Sequence, residues 1–279
     1  MNIVIAGYGT VGEAIFRTLD GRKGLNLFID DPHKGYDNVN RNGFVQIGTS
    51  PAPSYRNDVN AKVDAVIVCV STPPRSTDGS CNTTNVFNVL DKYIGIPCLI
   101  KSAIDPKELV QKYSIDEARI TYSPEFLGGS NVNRDANNEF KNQTFAIYGG
   151  DDCRFWDELL SPSLPELKDV RYTTLEQAAF SKYVENCFLA TKVTFFNEMY
   201  QIYQSLGFEG FDTMVDAITL DPRIGKSHTQ VPGPDGKFGY GGHCLPKDIG
   251  ALQATAKHSG VDTPLLDSVV NTNHINQKR

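Results

Sequence analysis

Short apolar runs alternate with amphipathic stretches along the first half of the chain. The runs predict strands at 2–6, 25–29, 65–70, 97–101, 119–122 and 144–148. Between them, apolar residues recur at helical spacing, which predicts helices at 14–19, 85–93 and 106–112. Strands that alternate with helices in this way indicate a parallel sheet.

The second half of the chain has a helical pattern. Capping-box spacings, Thr173 to Glu176 and Thr174 to Gln177, open a helix that runs to Gly207, a residue suited to a C-terminal cap. Further helices are predicted through 246–256 and 264–279. We therefore expect an α/β protein. A Rossmann-like doubly wound parallel sheet forms domain 1–170, and an α-helical domain with a long central helix forms 171–279.

Composition narrows the class of protein. The 279 residues are 40% hydrophobic and 22% charged, enough apolar material for a packed core. A net charge of -6 gives no electrostatic signature for nucleic acid or anionic membranes. No apolar run is long enough to span a bilayer, and the N-terminus lacks a secretion signal, so a cytoplasmic location is expected. The six cysteines lack metal-ligand spacing, so neither a metal site nor a disulfide framework is expected.

A glycine motif follows the first strand. Gly7 permits a tight turn, Gly9 lets a pyrophosphate approach the backbone, and Gly12 lets the next helix pack on the strand. Asp30 follows the second strand, where an acidic side chain accepts the ribose hydroxyls and favours NAD over NADP. The neighbouring Asp31, His33 and Lys34 keep NADP open. A bare glycine-rich turn without a ligand is the alternative for the motif itself.

Polar residues also follow later strands. The segments are Ser71-Thr72-Pro73, Ser102-Ala103 and Ser123-Pro124-Glu125. Because parallel sheets bind ligands at the carboxyl ends of their strands, these residues are candidate cofactor or substrate contacts. Each segment alone is equally consistent with a simple turn.

Candidate catalytic chemistry lies in the second half. Lys182 and Asn186 are one helical turn apart, so a cation and an amide donor share a face and could stabilise an oxyanion, unless both are solvated surface residues. Cys244 precedes Pro246 at the start of a predicted helix, with Lys247 close by. Both features favour a thiolate nucleophile, and a buried structural cysteine is the alternative.

These motifs together resemble the UDP-glucose/GDP-mannose dehydrogenase family. The matching segments are GYGTVG at 7–12, Asp30, CVSTPP at 69–74, YSPEFL at 122–127, KYVENCFLATKVTFFNE at 182–198, DPRIG at 221–225 and FGYGGHCLPKD at 238–248. The resemblance implies that NAD is the cofactor. It also implies that a nucleotide sugar, with UDP-glucose as the first expectation, is oxidised twice to a carboxylate through a cysteine thioester.

The resemblance also assigns roles to residues of this chain. Cys244 becomes the nucleophile, Lys182 and Asn186 stabilise oxyanions, Asp248 assists proton transfer, and Glu125 acts in thioester hydrolysis. The implied cofactor contacts are Gly7, Tyr8, Gly9, Thr10, Val11, Gly12, Asp30, Val70, Ser71, Thr72, Ser102, Glu125 and Lys247. The implied substrate contacts are Glu125, Phe126, Leu127, Lys182, Asn186, Arg223, Tyr240, Gly241 and Gly242.

Three departures from the family pattern change the expectation. Ala103 stands where the family has a threonine hydroxyl, so thioester hydrolysis is expected to be slow. Gly128-Gly129 replace an Arg-Glu pair near the substrate. The chain stops at Arg279, inside a helix that leads in the family to a third, nucleotide-binding domain, so a smaller substrate or a second polypeptide is expected.

The last helix also bears on assembly. Residues 264–279 carry an apolar stripe of Leu265, Leu266, Val269 and Val270, which predicts a homodimer through this helix or else packing within the chain. Two other functions stay open. One is a two-electron hydroxyacid dehydrogenase, and the other is a non-catalytic NAD-binding module that needs a partner.

Overall fold

The computed structural model describes residues 1–31, 33–34, 63–112, 119–127 and 136–279, and the backbone alone of 45–47 and 113–115. Within these residues, one sheet contains the strands β1 Asn2–Ala6, β2 Asn26–Asp30, β3 Val45–Ile47, β4 Ala65–Val68, β5 Cys98–Ile100, β6 Ile120–Tyr122, β7 Phe145–Gly150 and β8 Asp169–Thr173. The helices are α1 Thr10–Leu19, α2 Thr84–Lys92, α3 Pro106–Ile115, α4 Ala136–Lys141, α5 Cys153–Leu160, α6 Leu175–Ser205, α7 Phe211–Ile218, α8 Cys244–His258 and α9 Pro264–Asn276.

The sheet has the order β3-β2-β1-β4-β5-β6-β7-β8. All neighbouring strands are parallel except β6 and β7. The order from β3 to β6 is that of a doubly wound dinucleotide-binding fold, so the predicted fold class is confirmed. Strands β3 and β8 and helices α4, α5 and α7 were not among the predicted elements.

The described residues form two compact units. Among the described residues, the first unit comprises those within 1–75 and 81–182, and the second comprises 76–80 and 183–279. The division falls within α6. None of the helices in the described ranges is both long and apolar enough to cross a membrane.

The core of the first unit lies on both faces of the sheet. Alternate residues of β1 point to opposite sides: Val4 joins one apolar cluster, with Leu90 of α2, whereas Ile5 joins the other, with Ile15 of α1 and Trp156 of α5. Every residue of β4 and β5 is buried. Burial on both faces explains why these strands read as continuous apolar runs in the sequence.

The second unit has a helical core. One cluster joins Cys187 of α6 to Ile249 of α8 and Val269 of α9, and another joins Phe196 of α6 to Phe211 of α7. The apolar stripe predicted on the last helix is therefore largely covered within the unit. Leu266 and Val270 pack against the first cluster, and Leu265 stays 65% exposed.

Helix α6 has the capping residues that the sequence predicts at its two ends. The Gln177 N–H donates to Thr174 Oγ1 at 3.4 Å, and the Thr174 N–H donates to Gln177 Oε1 at 3.3 Å, which is a reciprocal capping box. Gly207 adopts a positive φ of 74° just after the helix. The predicted start and cap of the long helix are both confirmed.

Candidate active site

The glycine loop between β1 and α1 has the geometry of a phosphate-binding turn. Gly7 has a φ of 89°, and a Cβ there would lie 2.7 Å from the Cys69 carbonyl oxygen. A Cβ on Gly12 would lie 2.0 Å from the Gly7 oxygen, whereas Gly9 has open space around it. No side chain caps α1 at Gly9. The first amides of this helix therefore suit a pyrophosphate, and the loop fits a dinucleotide.

Two acidic residues lie at the end of the second strand, and one of them holds this loop. The Tyr8 N–H donates to Asp31 Oδ2 at 2.7 Å, a role for Asp31 that the sequence motif did not indicate. Asp30 lies at the carboxyl end of β2, and its side chain is 11% exposed. Its Oδ2 accepts hydrogen bonds from Lys92 Nζ at 2.6 Å and from the Tyr93 hydroxyl at 2.8 Å. Asp30 is therefore a paired carboxylate.

A hydrogen bond joins the segments that follow β4 and β5. Ser102 Oγ donates to the Val70 carbonyl at 2.7 Å, so this hydroxyl holds the backbone at a predicted cofactor position. Thr72 is buried and Ser71 is exposed, and the Ser71 carbonyl accepts Asn85 Nδ2 at 3.0 Å. Ala103 accepts the Cys81 thiol at its carbonyl, at 3.6 Å.

Glu125, which follows β6, forms a buried ion pair with Lys101. Lys101 Nζ lies 3.4 Å from Glu125 Oε2 and donates to Ser123 Oγ at 3.0 Å. Both charged side chains are buried, and Glu125 Oε2 accepts no hydrogen bond from the described residues. The nearby Cys69 is half-buried, and desolvation of its sulfur raises the pKa of its thiol far above the usual range. Lys101 was not predicted, because its partners are distant in sequence.

Lys182 lies against the segment that contains Glu125. Its Nζ is 5.2 Å from the centroid of the Phe126 ring, a cation–π distance. Two residues predicted to face the substrate are thus brought together within the first unit. The Gly128-Gly129 departure lies outside the described residues.

In the second unit, Asn186 and Lys247 meet at one carboxylate. Asn186 Nδ2 donates to Asp248 Oδ2 at 2.5 Å, and Lys247 pairs with Asp248 Oδ1. Asp248 is only 1% exposed and Asn186 only 4%. Lys247 was expected to support a thiolate at Cys244, but its ammonium is engaged by Asp248. The carboxylate thereby fixes the orientation of both donors.

Cys244 begins helix α8, as predicted, and its side chain is exposed. The other cysteines are buried or half-buried, and all six are free thiols. Cys187 of α6 is one of the buried thiols, and its burial raises its pKa to about 12, with a smaller contribution from Asp248. Cys187 therefore stays a neutral thiol at physiological pH, and Cys244 is the accessible one.

Amide side chains hold the loop that leads to Cys244. Asn273 of α9 accepts the Tyr240 N–H at 2.7 Å and donates to the Tyr240 carbonyl at 3.0 Å. Asn197 of α6 accepts the Gly239 N–H at 2.9 Å. The Tyr240 ring packs in the core, which differs from its expected place against the substrate, whereas Gly241 has open space around it.

Arg223 lies on a separate loop of the second unit. Its guanidinium pairs with Asp221 at 2.5 Å and its side chain is 87% exposed. This pairing lowers the pKa of Asp221. Lys192 of α6 donates to the carbonyls of Ile224 at 2.8 Å and Gly225 at 2.9 Å, so it holds the loop that carries Arg223. In the described ranges, no group of three His, Cys, Asp or Glu side chains could hold a metal ion.

The sheet order and the glycine loop define a Rossmann-type α/β protein. Residues 176–275 match the central domain of the UDP-glucose/GDP-mannose dehydrogenase family. Over these residues the chain is similar to this family, and the motifs of its first half agree with that similarity.

Comparisons with individual proteins agree. A UDP-glucose 6-dehydrogenase of Rickettsia bellii is 29% identical over 233 residues, which cover 79% of this chain and 51% of the relative. One from Streptococcus pneumoniae is 32% identical over 185 residues, covering 63% and 44%. The chain thus spans about half the length of the sequence relatives it matches.

Solved structures share the fold. A UDP-glucose dehydrogenase from Pyrobaculum islandicum has a TM-score of 0.73 at 20% identity, and the match covers 98% of this chain and 68% of that one. A GDP-mannose dehydrogenase from Pseudomonas aeruginosa has a TM-score of 0.60 at 22% identity, covering 99% and 69%.

Proposed function

We propose that this chain binds NAD and catalyses the oxidation of a nucleotide sugar, with UDP-glucose as the first substrate to test. The product is the carboxylate, formed from a primary alcohol in two steps. The observation that carries the proposal is the arrangement at the start of α8. An exposed thiol, Cys244, is followed within one turn by Asp248, a buried carboxylate bonded to Asn186 and Lys247.

The dinucleotide would be held by the glycine loop and Asp30. When bound, NAD supplies the acceptor for two hydrides per sugar. The uncapped amides at the start of α1 would hold the pyrophosphate, and Asp30 would accept ribose hydroxyls. Lys247, Glu125, Val70, Ser71, Thr72 and Ser102 complete the proposed cofactor contacts.

Cys244 would retain the reactive aldehyde. Its sulfur adds to the aldehyde carbon while the aldehyde oxygen gains a proton, which gives a thiohemiacetal. Loss of a hydride and a proton from this adduct leaves a thioester. Water then adds to the thioester carbon, and the sulfur leaves as the thiol, which regenerates Cys244 and gives the acid.

The remaining residues would stabilise charge and activate water. Lys182 and Asn186 are donors for the oxyanions that form at the sugar carbon. Asp248 holds Asn186 in one orientation, so its amide needs no reorganisation when charge develops. Glu125 has one buried oxygen beside Lys101 that accepts no hydrogen bond from the described residues, a suitable acceptor for a hydrolytic water.

The test is a search for the covalent adduct. The protein is quenched in acid during turnover with NAD and UDP-glucose, digested, and analysed by mass spectrometry. We expect the sugar acyl group on the Cys244 peptide and none in Cys244→Ser, with the other five cysteines as internal controls. Acid formation without any adduct in the native chain, or undiminished in Cys244→Ser, would contradict the thioester route.

The assembly we propose is a homodimer, through α6 rather than through the last helix alone. Four apolar side chains at four- and seven-residue spacings share one face of α6 and are about half exposed. They are Val184 at 50%, Phe188 at 62%, Phe195 at 54% and Ile202 at 48%. Light scattering should give a dimer mass that Phe188→Glu halves. A native monomer mass at all concentrations would refute the dimer.

We also propose a cytoplasmic location. All six cysteines are free thiols in the structure, which fits a reducing compartment. Fractionation of the host cell tests this: recovery of the protein outside the cytoplasmic fraction would contradict it.

A further inference from the structure

The carboxylate that should read the ribose is not a solitary negative charge. Lys92, from the last turn of α2, places its Nζ 2.6 Å from Asp30 Oδ2, and the Tyr93 hydroxyl donates to the same oxygen at 2.8 Å. Both side chains of the ion pair are largely covered, with 26% of Lys92 and 11% of Asp30 exposed. In the described residues, both contacts of this carboxylate fall on Oδ2. Oδ1 is then the oxygen that a ribose hydroxyl would reach.

Charge at this position decides which dinucleotide a Rossmann fold prefers. An acidic side chain after the second strand accepts the ribose hydroxyls of NAD, and its negative charge repels the 2′-phosphate of NADP. A cation bonded to that carboxylate reduces the repulsion. Any group that contacts the Asp30 carboxylate also lies well within one Debye length of Lys92 Nζ, about 8 Å at physiological salt, so the ammonium acts on it directly.

A second cation lies beside the glycine loop. Lys34 Nζ is 5.3 Å from the centroid of the Tyr8 ring, and Tyr8 is part of the glycine motif. Asp30 is thus paired with the ammonium group of Lys92, while Asp31 and Lys34 both contact Tyr8 of the loop. This local balance differs from the purely acidic site that the sequence position of Asp30 alone predicts.

We propose that Lys92 is a specificity-determining residue, which admits NADPH to a site that Asp30 alone would reserve for NADH. The inference rests on the proposed function in that it assumes dinucleotide binding at the glycine loop. What it adds to the proposed function is the source of the selectivity between NADH and NADPH. This selectivity is set by an ion pair between β2 and α2, in which α2 contributes a charge that the glycine motif does not contain.

Equilibrium binding of NADH and NADPH tests the inference without any turnover. Dissociation constants are measured by titration calorimetry for the native chain, Lys92→Met, Lys92→Arg and Tyr93→Phe. We expect Lys92→Met to raise the ratio of the NADPH to the NADH constant about tenfold, the order expected for losing a unit charge a few ångströms from a phosphate near a protein surface. Lys92→Arg keeps the charge and should keep the ratio.

Tyr93→Phe is the matched control, because it removes a donor to the same oxygen without changing charge. It should alter both constants in parallel and leave their ratio unchanged. The effect of Lys92→Met should also shrink in high salt, which a purely structural loss would not do. Circular dichroism establishes that each variant folds.

The outcomes separate this inference from the proposed function. If the native chain binds NADH but Lys92→Met leaves the ratio as it was, the role of Lys92 is refuted and the proposed function stands. If Lys92→Met and Tyr93→Phe raise the ratio equally, charge is not the cause and the inference is again refuted. If the native chain binds neither dinucleotide, both proposals fail.

Discussion

Replacing Asn273 by alanine removes the side chain that holds the loop in front of Cys244. The amide of Asn273 binds both backbone polar groups of Tyr240, at 2.7 Å and 3.0 Å, and it is only 4% exposed. Gln277 also donates to the Tyr240 carbonyl, at 2.7 Å. After the substitution the carbonyl keeps one partner, whereas the buried Tyr240 N–H keeps none among the described residues.

The cost follows from these contacts. A buried donor left without a partner costs about 1–3 kcal/mol, and the net loss of the second hydrogen bond adds about 1 kcal/mol. Alanine returns roughly 0.5 kcal/mol, because it favours the helix more than asparagine does. We therefore expect Asn273→Ala to lower the free energy of unfolding by about 1.5–3.5 kcal/mol.

Urea unfolding followed by far-UV circular dichroism measures this change. The chain has one tryptophan, Trp156, which lies in the core of the first unit, so its emission reports that unit separately. Asn271→Ala is the matched control, because Asn271 is an exposed residue of the same helix and its loss should cost less than about 0.5 kcal/mol. If Asn273→Ala shifts the dichroism transition no further than this control does, the proposed role of Asn273 is wrong.

Four further predictions concern the thiols, a buried ion pair, a buried phenol and the proposed thioester hydrolysis. Iodoacetamide should alkylate Cys244 first under native conditions, because the other thiols are buried or half-buried; equal labelling of all six in peptide maps would refute this. Lys101→Met should lower the free energy of unfolding by about 3 kcal/mol or more, because it leaves the buried Glu125 carboxylate without its cation. Adding Glu125→Gln should recover part of this loss. If urea unfolding shows that the effects of the two substitutions simply add, the two residues do not act as an ion pair. Above pH 10 the native chain should lose stability relative to Tyr240→Phe, because the unfolded phenol ionises near its ordinary pKa of 10.0 while burial raises the folded pKa to about 12; parallel pH curves of unfolding would exclude this. Ala103→Thr should speed thioester hydrolysis, seen as a lower steady-state fraction of acylated Cys244, and an unchanged fraction would show that this hydroxyl does not matter.

The sheet and the long helix could be predicted because their residues carry strong local signals. β1 and β4 are continuous apolar runs, and α6 begins at a capping box and ends before Gly207. Strand β8 escaped prediction because it is an edge strand with no fully buried residue, so no periodicity marks it. Helices α5 and α7 have only eight residues each, which is little more than two turns of pattern.

The site was predictable as a set of residue types but not as a set of contacts. The glycine loop and Cys244 lie in local motifs, and the structure places both at helix starts. The partners of these residues come from far along the chain, as with Lys92 and Asp30, which are 62 residues apart. Such pairs depend on the fold, so a single sequence does not reveal them.

The most direct test of the proposed function is the number of NADH molecules formed for each sugar consumed. The protein is incubated with NAD and UDP-glucose, NADH is measured by absorbance, and the remaining sugar and the acid are measured by chromatography. We expect two NADH and one sugar acid for each UDP-glucose consumed. One NADH per sugar, with an aldehyde or ketone as product, would contradict the two-step oxidation through Cys244.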